Sequence, residues 1–194
     1  MNPALIEAPA ALRPLEPLVE RFQPDDMDVP GGRARVRLEV AGAGAMDAVI
    51  DGGELTLEGA QGRGGGDAHL RADAATWAAI AEDVRGGMDA FRSGRLGVRG
   101  NLNLGVGLLA ATSGSAEPGR LRFGRVHTPN HEISTAEAGE GPPLICLHGL
   151  GGTKSSFLTT ISALAPAGVR VIAIDLPGFG DSDKPHAAPY DAPW

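Results

Sequence analysis

The 194-residue sequence has little of several features that usually mark a protein's class. It holds a single cysteine, Cys146, which excludes a disulfide framework and leads us to expect a reducing, cytoplasmic setting. Its net charge of −7 includes no basic block, which argues against a nucleic-acid partner. No apolar run approaches the roughly 18 residues of an integral membrane segment, and the proline-rich N-terminus is unlike a signal peptide.

Aromatic residues make up only 4% of the chain, while apolar residues reach 42% and glycine numbers 29. This composition predicts a core of Ala, Val, Leu and Ile with many turns. The five histidines and one cysteine show no metal-ligand spacing, so no metal site is predicted. A phosphate-binding loop is also excluded at residues 149–155, because Thr153 precedes Lys154 where that motif needs glycine. We expect no cofactor.

Glycine and proline divide the chain into four predicted regions. Residues 1–30 form a proline-rich segment with one short helix, at residues 15–22. Residues 31–112 form a first domain, and residues 113–120 form a linker rich in Ser, Gly, Glu and Pro. Residues 121–194 form a second unit.

The first domain begins with alternating apolar and polar residues, the pattern of strands with one face in water. Residues 34–40 alternate cleanly, and shorter runs repeat the pattern up to Arg71. Glycine clusters between the runs predict turns and therefore an antiparallel meander. A helix capped by Asp73 and ending near Arg85 follows, and a small-residue helix starts at Leu102. The predicted fold is an α+β domain, an antiparallel sheet plus helices.

Residues 88–101 carry a motif through which this domain resembles a known family. The pattern Ala-Phe-x-Ser-Gly-x-Leu-x-Val-x-Gly leads to Gly100 and Asn101, where many members have Gly-Asp. With the helix entry at Asp73, it resembles the sterol carrier protein 2 family over residues 33–112. The resemblance implies an apolar tunnel for sterols or acyl chains, in which each buried methylene contributes about 0.8 kcal/mol. The lining residues that it implies are Trp77, Ile80, Val84, Met88, Phe91, Leu102, Val106 and Leu109.

Two short apolar runs in the second unit end at loops rich in glycine. Residues 144–147 end at a His-Gly-Leu-Gly-Gly loop that starts with His148. Residues 169–174 end at Asp175, which opens the loop Asp-Leu-Pro-Gly-Phe-Gly-Asp-Ser. Each run has the composition of a strand buried on both faces of a parallel sheet. A helix at residues 153–165 connects the two strands in a predicted βαβ unit.

At this spacing the two loops resemble the opening βαβ unit of the alpha/beta hydrolase family, over residues 120–194. In that family the backbone N–H after the His-Gly pair forms half of the oxyanion hole, which implies Leu150 as the donor. Such a donor is worth roughly 3–4 kcal/mol of barrier. The resemblance implies that His148 and Gly149 support the loop, with His148 as a brace rather than the catalytic base. It also implies an incomplete alpha/beta hydrolase fold, and an esterase or lipase acting on apolar esters.

The family's nucleophile is missing from the sequence. Its serine lies in a Gly-x-Ser-x-Gly turn, and none of the eight serines here stands between glycines at that spacing. We expect the chain as written to be hydrolytically inactive, because loss of the nucleophile alone costs on the order of a million-fold in turnover. We also expect a truncated product or fragment, in which residues 144–147 form an unpaired edge strand. Whether the chain is an enzyme stays open.

Two other functions also stay open. The chain could be a non-enzymatic sterol or fatty-acyl carrier, whose partner is a lipid or another apolar small molecule. It could instead be a purely structural module, because apolar residues at helical spacing are typical of an ordinary core as well as of a tunnel. A bound lipid would favour the carrier, and a filled core would favour the structural module.

Overall fold

The computed structural model describes residues 9–62, 66–82, 87–113 and 119–186. Up to residue 113 its elements are, in chain order, a 3-10 turn (Ala10–Leu15), α1 (Glu16–Glu20), two further 3-10 turns (Pro24–Asp26 and Pro30–Gly32), β1 (Arg33–Val40), β2 (Gly44–Asp51), β3 (Glu54–Gly59), β4 (Ala68–Ala72), α2 (Ala74–Glu82), α3 (Met88–Arg92), β5 (Gly97–Gly100) and α4 (Leu102–Ala111). From residue 119 they are β6 (Arg122–His127), β7 (Glu132–Ala138), β8 (Pro143–Leu147), a 3-10 turn (Lys154–Phe157), α5 (Leu158–Leu164), a 3-10 turn (Ala165–Ala167) and β9 (Arg170–Ile174).

The helices largely follow the sequence prediction. Helix α4 has the predicted bounds, and α2 is capped by Asp73, whose Oδ1 accepts the Thr76 N–H at 2.7 Å. The predicted end of that helix near Arg85 lies outside the described residues. The helix predicted at residues 15–22 forms as the shorter α1 (Glu16–Glu20), but the expectation that it is the only element of the N-terminal segment is wrong. Proline explains the difference: Pro14 lies inside a 3-10 turn and Pro17 starts the short α1, since proline has no N–H to continue a helix.

The first sheet has the strand order β3-β2-β1-β4-β5. The predicted antiparallel meander is correct for β1, β2 and β3, but it is wrong for β4, which pairs with β1 in parallel. Strand β5 then pairs antiparallel with β4. The sheet is therefore mixed, with β1 at its centre.

Gly66 and Asp67 explain why β4 joins the free edge of β1. A Cβ at position 66 would lie 2.1 Å from the Arg35 carbonyl oxygen, and the φ of Gly66 is +47°, so only glycine fits this close approach. Next to it, the Asp67 N–H donates to the Arg35 carbonyl at 2.7 Å, and the Asp67 carboxylate accepts the Arg35 N–H at 2.8 Å. These contacts fix the start of β4 beside β1.

The second sheet has the order β6-β7-β9-β8. Strands β8 and β9 run parallel, with Leu147 opposite Ile174, and the chain between them contains α5, which confirms the predicted βαβ unit. The prediction that β8 is buried on both faces is wrong. Strand β8 lies at the sheet edge, and Ile145 and Leu147 are 62% and 58% exposed, because no described element covers that face. Its other face packs, through Cys146, in the core that contains α5.

Helix α4 is buried between the two sheets. Leu104, Leu108 and Leu109 pack in the core of the first sheet. Val106 and Ala110, on the other side, pack in the core of the second sheet, together with Phe123 and α5. A helix that is apolar on all sides requires cover on all sides, so both sheets are needed to bury it.

Ion pairs reinforce this junction. The Asp28 carboxylate accepts hydrogen bonds from Arg125 Nε at 2.8 Å and from the Ser134 hydroxyl at 2.9 Å, and so ties the N-terminal turns to the second sheet. Arg120 pairs in the same way with Asp26. Burial raises the pKa of Asp26, while the charge of Arg120 opposes that rise.

A charged network covers the outer face of the first sheet. Asp47 is buried there and accepts hydrogen bonds from Arg37 at 2.8 and 3.0 Å, from Arg35 at 3.1 Å and from the Gln61 N–H at 3.2 Å. Burial alone would raise the pKa of Asp47, but these hydrogen bonds outweigh it and hold the pKa below its ordinary value. Asp47 therefore stabilises the sheet as a carboxylate.

Two glycines of α4 provide a matched test of its packing. A Cβ at Gly105 would lie 2.8 Å from Val98 Cγ1, whereas one at Gly107 would have ordinary contacts of 3.5 Å or more. Alanine raises helix propensity at both positions by about 1 kcal/mol, but overpacking at Gly105 costs about 1–3 kcal/mol. In urea unfolding we expect Gly107→Ala to be more stable than wild type and Gly105→Ala to be less stable. Equal effects would contradict the close packing of α4 on β5.

Asp47→Asn tests the charged network. The substitution leaves Arg37 without its anionic partner, so we expect the free energy of unfolding to fall by about 3 kcal/mol near neutral pH. The control is Asp51→Asn, whose exposed pair with Arg33 at 3.7 Å is worth less than about 1 kcal/mol. Because the folded-state pKa of Asp47 is lowered, its contribution is complete above the unfolded-state value of 3.8 and is lost as the pH falls through the folded-state value. If wild type remained more stable than Asp47→Asn by the same free energy of unfolding at acid pH, the role of the Asp47 carboxylate would be contradicted.

Candidate functional site

The candidate site lies at the carboxyl ends of β8 and β9. The loop that starts at His148 follows β8, and the loop that starts at Asp175 follows β9. Because the two strands are adjacent and parallel, both loops leave the sheet at the same edge. Open α/β sheets bind their ligands at this edge.

His148 connects the two loops. Its buried ring accepts the Leu176 N–H on Nε2 at 3.0 Å. The ring proton therefore belongs on Nδ1, which lies 2.9 Å from the Gly149 carbonyl oxygen and can donate to it. The ring of Phe179 packs edge-on against His148, with 5.4 Å between centroids. Both ring nitrogens are thus used in fixing the loops, so neither is free for proton transfer.

Leu150 lies at the tip of the first loop. Its side chain is 97% exposed, and its N–H donates no hydrogen bond to any described residue. Gly151, with a φ of +75°, turns the chain directly after it. The Leu150 N–H is therefore a backbone donor that the fold leaves available.

Asp175 organises the second loop. Its carboxylate is fully buried and accepts the Lys154 N–H at 2.6 Å, the Lys154 Nζ at 2.7 Å and the Asp181 N–H at 2.9 Å. A Cβ at Gly180 would lie 2.1 Å from this carboxylate, and the φ of Gly180 is +53°. The second glycine of the Pro-Gly-Phe-Gly sequence is therefore required for the loop to fold around Asp175.

Lys154 is the buried cation of the site. Its side chain is 0% exposed, and Nζ lies 2.7 Å from Asp175 and 2.8 Å from Asp181. The ring of Phe123 is 5.9 Å from the same nitrogen. Two carboxylates thus surround one ammonium group, which compensates for its removal from water.

Asn103, in the first turn of α4, extends the network to the first domain. Its Nδ2 donates to Asp181 at 2.7 Å, and its Oδ1 accepts the Ser155 hydroxyl. The first domain therefore contacts both segments that hold Lys154.

Ser182, the serine of the second loop, has a structural position. Its buried hydroxyl donates to the Asp175 carbonyl at 2.7 Å and accepts the Ser134 N–H at 2.8 Å. The first contact closes the loop on itself, and the second fastens it to β7. Its hydroxyl is therefore committed to the loop.

The residues that the sterol carrier resemblance implied are divided between two cores. Trp77, Ile80 and Leu109 belong to the core of the first sheet, and the Trp77 indole N–H donates to the Glu39 carbonyl at 2.9 Å. The others pack toward the second sheet or between the two cores, namely Met88, Phe91, Leu102 and Val106. Val84 lies outside the described residues. The described members of this set thus lie in two hydrophobic cores, with Phe91 packed against both.

Within the described ranges, no group of three or more His, Cys, Asp or Glu side chains could hold a metal ion. No helix within those ranges is long and apolar enough to cross a lipid bilayer.

Sequence reasoning found the two loops, His148, Gly149 and Leu150, but missed the charged network. Lys154 and Asp175 are 21 residues apart, and nothing in the local pattern of either predicts a buried ion pair. One signal was present: Lys154 follows the glycine loop after β8 and Asp175 directly follows β9, so both lie at neighbouring strand ends. The contribution of Asn103 had no signal, because it depends on how α4 packs.

Each part of the chain matches a known protein family over part of its length. Residues 142–192 match the family described as alpha/beta hydrolase fold, and residues 23–110 match the SCP-2 sterol transfer family. The first match includes both loops of the site, and the second ends within α4.

The similar proteins each match about a third of the chain. Bifunctional epoxide hydrolase 2 of Mus musculus is 44% identical over 57 residues, which cover 29% of this chain and 10% of that protein. The pimeloyl acyl-carrier protein methyl ester esterase of Aeromonas hydrophila is 39% identical over 62 residues, covering 32% of this chain and 24% of that protein. A solved epoxide hydrolase from an endophytic Streptomyces is 39% identical, with a TM-score of 0.34, covering 34% of this chain and 20% of that one.

This chain thus spans between a tenth and a quarter of the length of these relatives. Its two family matches do not overlap, and the residues between them include β6 and β7. The chain therefore joins a segment that matches the SCP-2 sterol transfer family, at residues 23–110, to a segment that matches the alpha/beta hydrolase fold family, at residues 142–192.

Proposed function

We propose that the loops at His148 and Asp175 form the oxyanion side of a hydrolase site for apolar esters. One observation carries the proposal: the Leu150 N–H projects at the carboxyl end of β8 without a hydrogen-bond partner among the described residues, while His148 fixes its loop. A tetrahedral intermediate places its negative oxygen about 3 Å from such a donor. In this role Leu150 supplies the N–H, and His148 and Gly149 hold it in place.

The Lys154 network positions the loops and does not react with substrate. Lys154 and the Asp175 carboxylate are buried, and their polar atoms are used in contacts with each other and with Asp181. Such fixed surroundings keep an oxyanion donor in one orientation before substrate binds, and this preorganisation is the main source of its effect.

Esters are the proposed substrate class because one relative is named as a methyl ester esterase. Other relatives are named as epoxide hydrolases, so epoxides are the main competing class. The family match at residues 23–110 supports an apolar substrate, since that family is described by sterol transfer. The described residues of the implied tunnel, from Trp77 to Leu109, are the proposed contacts for the apolar group.

A structural role for the first domain is the second candidate function, and a specific observation favours it. Trp77, Ile80, Val106 and Leu109 are almost fully buried against other side chains, as in a filled core. A lipid could enter only if these side chains separated. A cytoplasmic location stays a prediction.

We expect the 194-residue polypeptide to hydrolyse p-nitrophenyl esters no faster than buffer, because it has no Gly-x-Ser-x-Gly serine. The same sample should not be labelled by a fluorophosphonate probe for reactive serines. Ser182→Ala is the control for the loop serine. Turnover that disappears in this variant would contradict both the missing nucleophile and the structural position of Ser182.

Displacement of a fluorescent fatty acid distinguishes a lipid-binding first domain from a structural one. If the domain binds acyl chains, long-chain fatty acids should displace the probe and short-chain ones should not, because each methylene contributes about 0.8 kcal/mol. Leu109→Trp should then weaken binding, whereas Val126→Trp, on the exposed end of β6, should not. Absence of probe binding to the wild-type chain would favour the structural role.

Lys154→Met tests the network that holds the loops. The substitution leaves two buried carboxylates without their cation, so we expect a loss of about 3–5 kcal/mol in the free energy of unfolding. Lys184→Met is the matched control, because Lys184 is exposed and contacts only backbone carbonyls. Hydrogen exchange at the Leu176 amide, which donates to His148, should accelerate in the first variant only. A Lys154→Met variant with wild-type stability and wild-type hydrogen exchange at Leu176 would contradict the positioning role of Lys154.

A further inference from the structure

A second concave surface lies on the outer face of the first sheet, away from the two loops. It has a volume of about 540 Å³ and is formed by β1, β4, β5 and the loop before β5. None of the residues implied by either family resemblance lines it. Five of the ten residues that line it are acidic residues or arginines, so it differs in kind from an apolar tunnel.

Three arginines converge on this pocket: Arg71, Arg95 and Arg99. In the β4–β5 register, Arg71 lies opposite Gly97, and His69 lies opposite Arg99. Directly opposed residues in an antiparallel pair point to the same face, so these side chains surround a position where Gly97 has none. Because Gly97 has no side chain, its backbone forms the floor of the pocket.

The charge of the three arginines is only partly balanced within the pocket, because Glu39 and Asp73 are the only acidic residues among those that line it. Glu39 pairs with Arg71 at 3.1 Å and also with His69 at 2.9 Å. Arg95 Nε donates to the Ser93 hydroxyl, and Arg99 has no ion pair or hydrogen bond with any described residue.

The second acid of the pocket, Asp73, is occupied as the cap of α2. Three guanidinium groups therefore face two carboxylates, both engaged, in a chain whose net charge is −7.

We propose that this pocket binds a phosphate group, either on a small soluble molecule or as the headgroup of a lipid. Guanidinium groups are planar donors that pair with two oxygens of a phosphate at once, and several around one concave site favour a tetrahedral anion. The volume exceeds that of the phosphate alone, which leaves space for the group that carries it. The ligand is held by charge and hydrogen bonds, without any covalent step.

Titration of the full chain with inorganic phosphate, followed by backbone amide NMR, tests the proposal. We expect saturable shifts at Gly97 and Arg99 that weaken as sodium chloride is added, because the attraction is Coulombic. Arg99→Ala should weaken binding about tenfold, the loss of one charge-assisted contact. Arg33→Ala, which removes an exposed arginine of the same sheet outside the pocket, should have little effect.

Gly97→Val adds a side chain at the floor of the pocket, opposite Arg71, without removing charge. A Cβ at position 97 has only one neighbour, the Arg71 carbonyl oxygen at 3.8 Å, and valine suits a strand. The variant should keep the wild-type melting temperature and lose phosphate binding. Unchanged binding in this variant would overturn the proposed location, and equal losses in Arg99→Ala and Arg33→Ala would overturn it in favour of general charge attraction.

Vesicles distinguish the two sources of phosphate. Co-sedimentation with phosphatidylcholine vesicles that contain phosphatidic acid, but not with phosphatidylcholine alone, would identify a lipid headgroup, provided that Gly97→Val abolishes it. Binding of free phosphate without vesicle binding would identify a soluble phosphorylated ligand. If neither inorganic phosphate nor the phosphatidic acid vesicles bind, the proposal is overturned.

Discussion

Helix α4 is the constraint on which the rest of the structure depends. It is apolar on every side, and an isolated helix of this kind would expose hydrophobic surface to water. Burying it takes two sheets, which is why Leu108 packs in one core and Val106 in the other. Gly105 allows the close approach of α4 to β5, since a Cβ at this position would lie 2.8 Å from Val98 Cγ1. The segments matched to two different families are therefore held together by a shared core.

This sharing places the first domain next to the candidate site. Asn103, at the start of α4, contacts Asp181 and Ser155, and Asp181 in turn pairs with Lys154. A shift of α4 would therefore move the loop after β9 through the Asn103–Asp181 contact. It would also act on the segment of Lys154, through Ser155 and through Asp181. Whatever the first domain binds, its main helix forms part of the frame around the hydrolase-family loops.

Local patterns were sufficient to predict the elements, and they failed where distant residues decide the outcome. The bounds of α4, the Asp73 cap and the parallel pair β8–β9 follow from periodicity and from turn residues. The parallel pairing of β4 was not predictable, because it depends on the contact between Gly66 and the Arg35 carbonyl. Nor does helical spacing say what covers a face, so it could not separate Trp77 in one core from Val106 in the other.

In the candidate site, too, local patterns predicted some residues, while contacts between distant residues determine what their polar groups do. The glycine loops identified Leu150 and His148, but the reason that Leu150 is available lies in bonds that the sequence does not show. His148, Asp175 and Ser182 commit their side chains to holding the loops. The Leu150 N–H is left without such a commitment among the described residues. A donor stabilises developing charge most effectively when its surroundings are already fixed, because nothing has to reorganise as the charge appears. In the role proposed for Leu150, the internal pairing of the other groups is therefore what would hold this one N–H ready for an oxyanion.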